Sequence, residues 1–180
     1  TLGILEALAA GGLQFGGFAD DEGKHPTRWA KLHTKLGGLL FRWPSLCIEE
    51  NIIAVVPDDK LEAFIADPVG EKTGIRLRTL ADRLGIADKD FATLKAKAGT
   101  DFKARIVEAA LGTVPNGKES EKNEYKAHAG RWFKSLEGGR ELSGKLFSLA
   151  LWPALKPQLL PFCNAVRTAT GLDEIADLHG

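Results

Sequence analysis

The sequence predicts an α/β fold: a partial parallel sheet flanked by helices, followed by a mainly α-helical region. Three observations carry this. A helical segment, a short apolar run, an acidic loop, an amphipathic helix and a second apolar run succeed one another over residues 1–43, the order of an α/β unit with parallel strands. After residue 57 only helical periods follow. The 180 residues are 44% hydrophobic and 27% charged, enough apolar side chain for a buried core in one domain or a domain with an appendage.

In chain order, Leu2, Leu5 and Ala9 mark a helix that Gly11-Gly12 ends. Leu13–Ala19 (LQFGGFA) has no helical period and is bounded by turn and charge signals, so it reads as a buried parallel strand. Asp20–Pro26 is a polar loop. Pro26 then opens a helix whose Trp29, Leu32, His33 and Leu36 share one face. Gly37-Gly38 ends it, and Leu39–Trp43 is the next strand, stopped by Pro44. Helical periods follow over 58–66, 73–84, 88–98, 100–111, 120–136, 140–151 and 156–170, with Asp88 and Thr100 as caps and Leu77, Leu80, Ala81 and Leu84 as one buried face. The expected organisation is 1–56 as part of an α/β domain, 57–138 as a helical insertion and 139–180 as C-terminal helices packing back on the α/β core.

Charge and composition narrow the function. With 24 basic and 24 acidic residues the net charge is zero, which excludes a protein that coats nucleic acid by charge alone. Cys47 and Cys163 form no C-x-x-C pair, and the spacing suits neither zinc nor a disulfide framework. Isolated cysteines of this kind fit a reducing, cytoplasmic setting. No segment is long and apolar enough to span a bilayer, so no membrane partner is expected. The chain begins with Thr1 and contains no methionine, and it reads as an excised or processed piece. It has no phosphate loop of the G-x-x-x-x-G-K-[ST] type and no G-x-S-x-G elbow.

Four groups could carry chemistry. Asp20-Asp21-Glu22-Gly23 lies at the C-terminal end of the first strand, where open α/β sheets bind ligands. Clustered carboxylates repel one another unless solvated or bound to a cation such as Mg²⁺ or Mn²⁺; the plain reading is a solvated turn that caps a helix. Glu49-Glu50 sits inside the apolar stretch 45–56, either on the outer face of an amphipathic helix or facing a polar site. Lys145 shares a face with Leu142, Leu146 and Leu149 on a helix that looks buried, so it pairs, snorkels or serves a site. Lys118, Lys122, Lys126, Arg131 and Lys134 are interleaved with glutamates and read as a solvated, ion-paired helix.

These pieces together resemble the Toprim domain as it occurs in OLD-family (overcoming-lysogenization-defect) nucleases. The resemblance rests on the apolar strand ending in Ala19-Asp20-Asp21-Glu22-Gly23, the helix after Pro26, the strand Leu39–Trp43, the later Glu49-Glu50 and the helical Gly144-Lys145-Leu146. It spans most of the chain through short motifs. The family's D-x-D-like acidic pair would be Asp20 and Glu22, a departure in its second member, or Asp20 and Asp21 in the other register. Its opening strand, which ends in glutamate and glycine, has no counterpart before Leu13.

The resemblance implies a divalent-metal-dependent DNA endonuclease with two Mg²⁺ or Mn²⁺ ions. Asp20, Asp21 and Glu22 would be the metal-ligand candidates, Glu49 or Glu50 would hold the second ion, and Lys145 would neutralise charge on the phosphate. Lys145→Ala should then leave folding intact and slow cleavage. The implied partners are DNA and an upstream ABC-type ATPase domain of the same or a partner chain, with room for a homo-oligomer. The competing expectation is a non-catalytic Toprim-like module that docks an ATPase or another protein. A primase- or topoisomerase-type Toprim protein fits less well, because of the helical tail and because the only tyrosine, Tyr125, lies in a charged helix.

Overall fold

The computed structural model describes residues 2–20, 23–43, 46–67 and 69–178. In chain order the elements are α1 (Leu2–Ala10), β1 (Gly17–Ala19), α2 (Pro26–Leu36), β2 (Leu40–Arg42), α3 (Ile48–Val55), α4 (Leu61–Ile65), α5 (Thr73–Leu84), α6 (Phe91–Ala98), α7 (Phe102–Leu111), α8 (Lys122–Ala129), α9 (Leu136–Ser148) and α10 (Trp152–Ala169). Most of the described chain is helical, and the two strands form a small parallel sheet flanked by helices. Among the described residues no helix is long and apolar enough to cross a membrane. The chain divides into two compact units, one of Thr1–Asn51 with Pro153–His179 and one of Ile52–Trp152. The last helix thus joins the unit that holds the sheet, but from Pro153 rather than residue 139, and α9 stays with the helical unit.

In the first unit, α1 ends as its glycines require. Gly12 takes φ 74, and Leu13 N–H donates to Leu8 O while Gly12 N–H donates to Ala9 O, a Schellman closure that a side chain at Gly12 would strain. The sheet pairs Gly17 with Leu40, Phe18 with Phe41 and Ala19 with Arg42. The strand expected over 13–19 is only three residues long because its partner is. Gly37–Leu39 is taken up by a 3₁₀ turn, so β2 starts at Leu40. Alternation along the strands then assigns the faces. Leu40 packs with Leu2 and Leu32, and with Trp29 and Leu36, on the α1–α2 side. Phe18 and Phe41 stack at 4.8 Å and both meet Phe162 of α10 at 5.9 Å. A Cβ at Gly38 would stand 3.0 Å from the Cβ of Ala165, so α10 approaches the sheet closely there.

The second unit is a helical bundle around Phe64, Leu80, Leu94, Ile106 and Trp132, all fully buried. Several helix starts differ from expectation. Asp90, not Asp88, caps α6, accepting from Thr93 N–H at 3.0 Å; Asp88 instead accepts from Asp90 N–H. Thr100 falls inside a 3₁₀ turn before α7. The helix expected over 120–136 stops at Ala129, because Trp132 and Phe133 turn into the core, and Ser135 then caps α9 through Gly138 N–H.

Candidate functional site

The sheet places Asp20 directly after β1, and Asp20 makes one defining contact. Its Oδ1 accepts from the backbone N–H of Ile48, the first residue of α3, at 3.0 Å. Two residues on, Glu50 Oε2 reaches back to Cys47 N–H at 3.1 Å, the glutamate half of a capping box. Asn51 Nδ2 donates to Cys47 O at 2.8 Å. The N-terminus of α3 is therefore closed by two carboxylates, one local and one from a strand 28 residues earlier, which suits the positive end of a helix. Between them Glu49 is 3% exposed, on the inner side of its helix rather than the solvent side.

Cys47 completes this cluster. Burial pushes its thiol pKa up to about 12, and contacts with the Glu49 and Glu50 carboxylates add to the rise. The thiol is a protonated hydrogen-bond donor beside two carboxylates, a role that its isolated position in the sequence does not suggest.

Asp20 also lines a cleft of about 500 Å³. Lys24, His25, Arg28 and Trp29 form much of its wall, with Phe18 and Ala19 beside Asp20. His25 adopts a left-handed conformation (φ 55) just before Pro26 starts α2. Arg28 pairs with Glu6 through Nε at 3.0 Å and through Nη2. The cleft combines one carboxylate with three basic side chains.

The structure thus brings together Asp20, Glu49 and Glu50. Asp21 and Glu22 lie outside the described residues. Among the described residues no group of three His, Cys, Asp or Glu side chains is arranged to hold a metal ion.

Lys145 belongs to the second unit. Its ammonium donates to Ala63 O at 3.0 Å and to Ala66 O, and lies 3.6 Å from Glu141 Oε1. Burial lowers its pKa, with the Glu141 carboxylate opposing. Beside it lies a hub that the sequence reading misses. Arg76 is fully buried and pairs with Glu141 through two 2.7 Å hydrogen bonds. It also donates to Ile65 O and Arg131 O and lies 5.1 Å over the ring of Phe133. The signal was present: Arg76, Leu80 and Arg83 recur at i, i+4 and i+7, and both arginine side chains are almost wholly buried. Of the basic set, Lys118 lies ahead of α8 rather than on it, and it is exposed and pairs with Glu121 at 2.8 Å.

Comparison with profiles of known protein families, with curated proteins and with solved structures finds no match to this chain.

Proposed function

We propose that this chain is the catalytic part of a divalent-metal-dependent DNA endonuclease of Toprim type, resembling the OLD-family nucleases. One observation carries the reading: the hydrogen bond from Ile48 N–H to Asp20 brings the acidic end of β1 against the Glu49-Glu50 turn of α3, two groups 28 residues apart in the chain. Carboxylate oxygens are the donors that Mg²⁺ and Mn²⁺ prefer. Asp20 with Asp21 or Glu22 would hold one ion, and Glu49 or Glu50 the second. The described carboxylates alone do not complete a three-ligand site, so the reading needs Asp21 or Glu22. When bound, such ions activate the attacking water and stabilise the leaving oxygen of a phosphodiester. The chain's own part is to orient the carboxylates from a strand end and a capped helix, and to seat phosphate oxygens against Lys24, His25 and Arg28 in the same cleft. Lys145, which the resemblance implies for charge neutralisation, already has three buried oxygen partners, so that role passes to Lys24 and to Arg28, whose pair with Glu6 is partly exposed. In this reading DNA is the substrate, an upstream ATPase domain is the partner, and the setting is the cytoplasm.

A second reading, a non-catalytic docking module, is favoured by the same contacts seen differently: Asp20 and Glu50 each cap a backbone N–H, work that needs no metal. The deciding experiment incubates the longest natural chain containing this segment with supercoiled plasmid and Mn²⁺ or Mg²⁺. Asp20→Asn is the informative variant, because the amide oxygen can still accept from Ile48 while the charge is gone. Metal-dependent nicking or linearisation that Asp20→Asn abolishes at an unchanged unfolding midpoint supports the nuclease. A folded wild type that cleaves with neither metal supports the docking module.

A further inference from the structure

One contact in the Asp20 cleft has no part in the roles above. Arg28 lines the cleft, yet its guanidinium already grips an anion: Nε donates to Glu6 Oε1 at 3.0 Å and Nη2 donates to Glu6 Oε2. Two parallel bonds from one edge of a guanidinium to two oxygens are also the way arginine holds a phosphate. The Glu6 carboxylate therefore fills the same pair of donors that a phosphodiester needs. The pairing keeps both groups charged, since it lowers the Glu6 pKa and raises that of Arg28.

Local structure decides which partner can yield. Leu2, Leu5 and Ala9 turn one side of α1 toward α2, and Glu6 lies on that side, four residues after Leu2 and three before Ala9. The helix backbone thus aims a short side chain at Arg28. Gly3 stands one turn earlier, and a Cβ there would be 3.9 Å from Arg28 Nη2. Gly3 itself lines the cleft, so the guanidinium sits at the cleft edge over a residue that leaves it room. The Arg28 and Glu6 side chains are 46% and 35% exposed. A pair this open to water holds weakly, so an incoming oxyanion can replace the carboxylate. Water then solvates the released Glu6, and the charge of Lys31 also favours its ionised form.

We propose that Glu6 is a built-in competitor for phosphate: it holds the Arg28 fork until a DNA phosphodiester takes its place. This rests on the reading of the cleft as the seat of the phosphodiester. The exchange replaces one two-oxygen anion with another, on the same two donors. An uncharged ligand offers the guanidinium nothing that outweighs Glu6, so the cleft admits oxyanions and turns neutral groups away. The internal pair also sets the affinity. DNA binds more weakly than the cleft cations alone would allow, and removing the Glu6 charge tightens it.

The test is a double-mutant cycle on the whole chain, in EDTA so that no cleavage occurs and at physiological ionic strength so that distant charges are screened. The probe is a short fluorescein-labelled oligothymidylate, and fluorescence anisotropy reads its dissociation constant. Glu6→Gln should tighten binding about two- to fivefold, with an unfolding midpoint close to that of the wild type. In an Arg28→Ala chain the same Glu6→Gln change should leave the affinity within about 1.5-fold, because no fork remains to be released. Unchanged or weaker binding by Glu6→Gln overturns the proposal and makes Glu6 a support for Arg28 instead of a rival. Equal tightening with and without Arg28 overturns it too, as a general charge effect, and so does the absence of binding by both the wild type and Glu6→Gln. Cleavage separates the two readings. The expected cycle from a chain that cleaves with neither metal keeps the exchange and removes the nuclease; a flat cycle from a chain that cleaves does the reverse.

Discussion

Replacing Lys145 with alanine should destabilise the chain substantially, and the structure fixes the size of the effect. The ammonium donates to Ala63 O at 3.0 Å and to Ala66 O. These carbonyls lie at the end of α4, a helix of only five residues, whose last carbonyls have no intrahelical donors. Hydrogen bonds from a charged donor contribute about 1.5–3 kcal/mol each. Against this stands the burial of the ammonium, whose side chain is 6% exposed. A net loss of about 2–3 kcal/mol remains, since the carbonyls would be left unsatisfied in a site closed to water. For a unit of this size that is a fall in melting temperature of roughly 8–20 °C. Urea denaturation followed by circular dichroism reads it as a lower midpoint at unchanged slope. Lys145→Met, which keeps the stem and removes the donors, should lose nearly as much. An unchanged midpoint for Lys145→Ala would refute the capping role and return the residue to chemistry, the outcome expected from the sequence. The pH dependence has a definite sign. Burial holds the ammonium below its usual 10.5, with Glu141 opposing, so the folded chain releases this proton before the unfolded chain does. This one group therefore favours folding increasingly as pH climbs from its folded value toward 10.5.

Other outcomes follow from the same geometry. Glu141→Gln should cost about 3–5 kcal/mol in urea denaturation, because it strips the charge partner from buried Arg76 and from Lys145 at once. Gly138→Ala should destabilise by about 1–3 kcal/mol, since a Cβ there would stand 2.7 Å from Trp132 O and 2.8 Å from Phe133 Cα, backbone atoms that cannot swing aside; a thermal melt reads this directly. Pro157→Ala should raise helicity and the unfolding midpoint, because an interior proline costs a helix about 3 kcal/mol relative to alanine and Pro157 is exposed on α10. Burial tends to raise the Asp67 carboxyl, but the N–H groups of Lys72 and Val69 outweigh it and hold the pKa below 3.8. Its stabilisation is complete above that value and lost as pH falls through the folded pKa, so Asp67→Asn should flatten the acid-side fall of the urea midpoint.

Elements set by local chemistry were legible in the sequence. Helix α5 runs Thr73–Leu84 as its periodicity predicts, and Pro26 and Gly37 bracket α2 as a first-turn proline and a terminal glycine should. Misplaced boundaries share one cause, which is that tertiary packing chose between local options. Asp88 and Asp90 are equally good caps on paper, and the cap falls to the one that lets Phe91 reach Phe102 at 5.5 Å. The break at Ala129 carries only a single glycine as its signal, and it forms because Trp132 and Phe133 bury better in a turn than along a continued helix face. Strand β1 is short for a reason outside itself, since β2 offers three residues.

The candidate site was legible as a set of residue types, and contacts decide what each can do. A carboxylate at a strand end, two glutamates in an apolar stretch and a lysine on a buried face were all visible in the chain. Sequence spacing could not tell that Asp20 would meet the first N–H of α3, because that contact depends on where a helix 28 residues away begins. Nor could it tell a lysine kept for catalysis from one kept to close a short helix, since both need a cation on a buried face. The partners separate them: carbonyl oxygens and Glu141 leave Lys145 with a folded-state task, whereas Lys24, His25 and Arg28 line a cleft together with Asp20. Arg28 is paired with Glu6 near the surface, where exchanging that partner for a phosphate costs little, whereas Lys145 could meet a phosphate only by giving up three buried oxygen partners. That asymmetry is why the stability of Lys145→Ala and the cleavage by Asp20→Asn are informative as a pair.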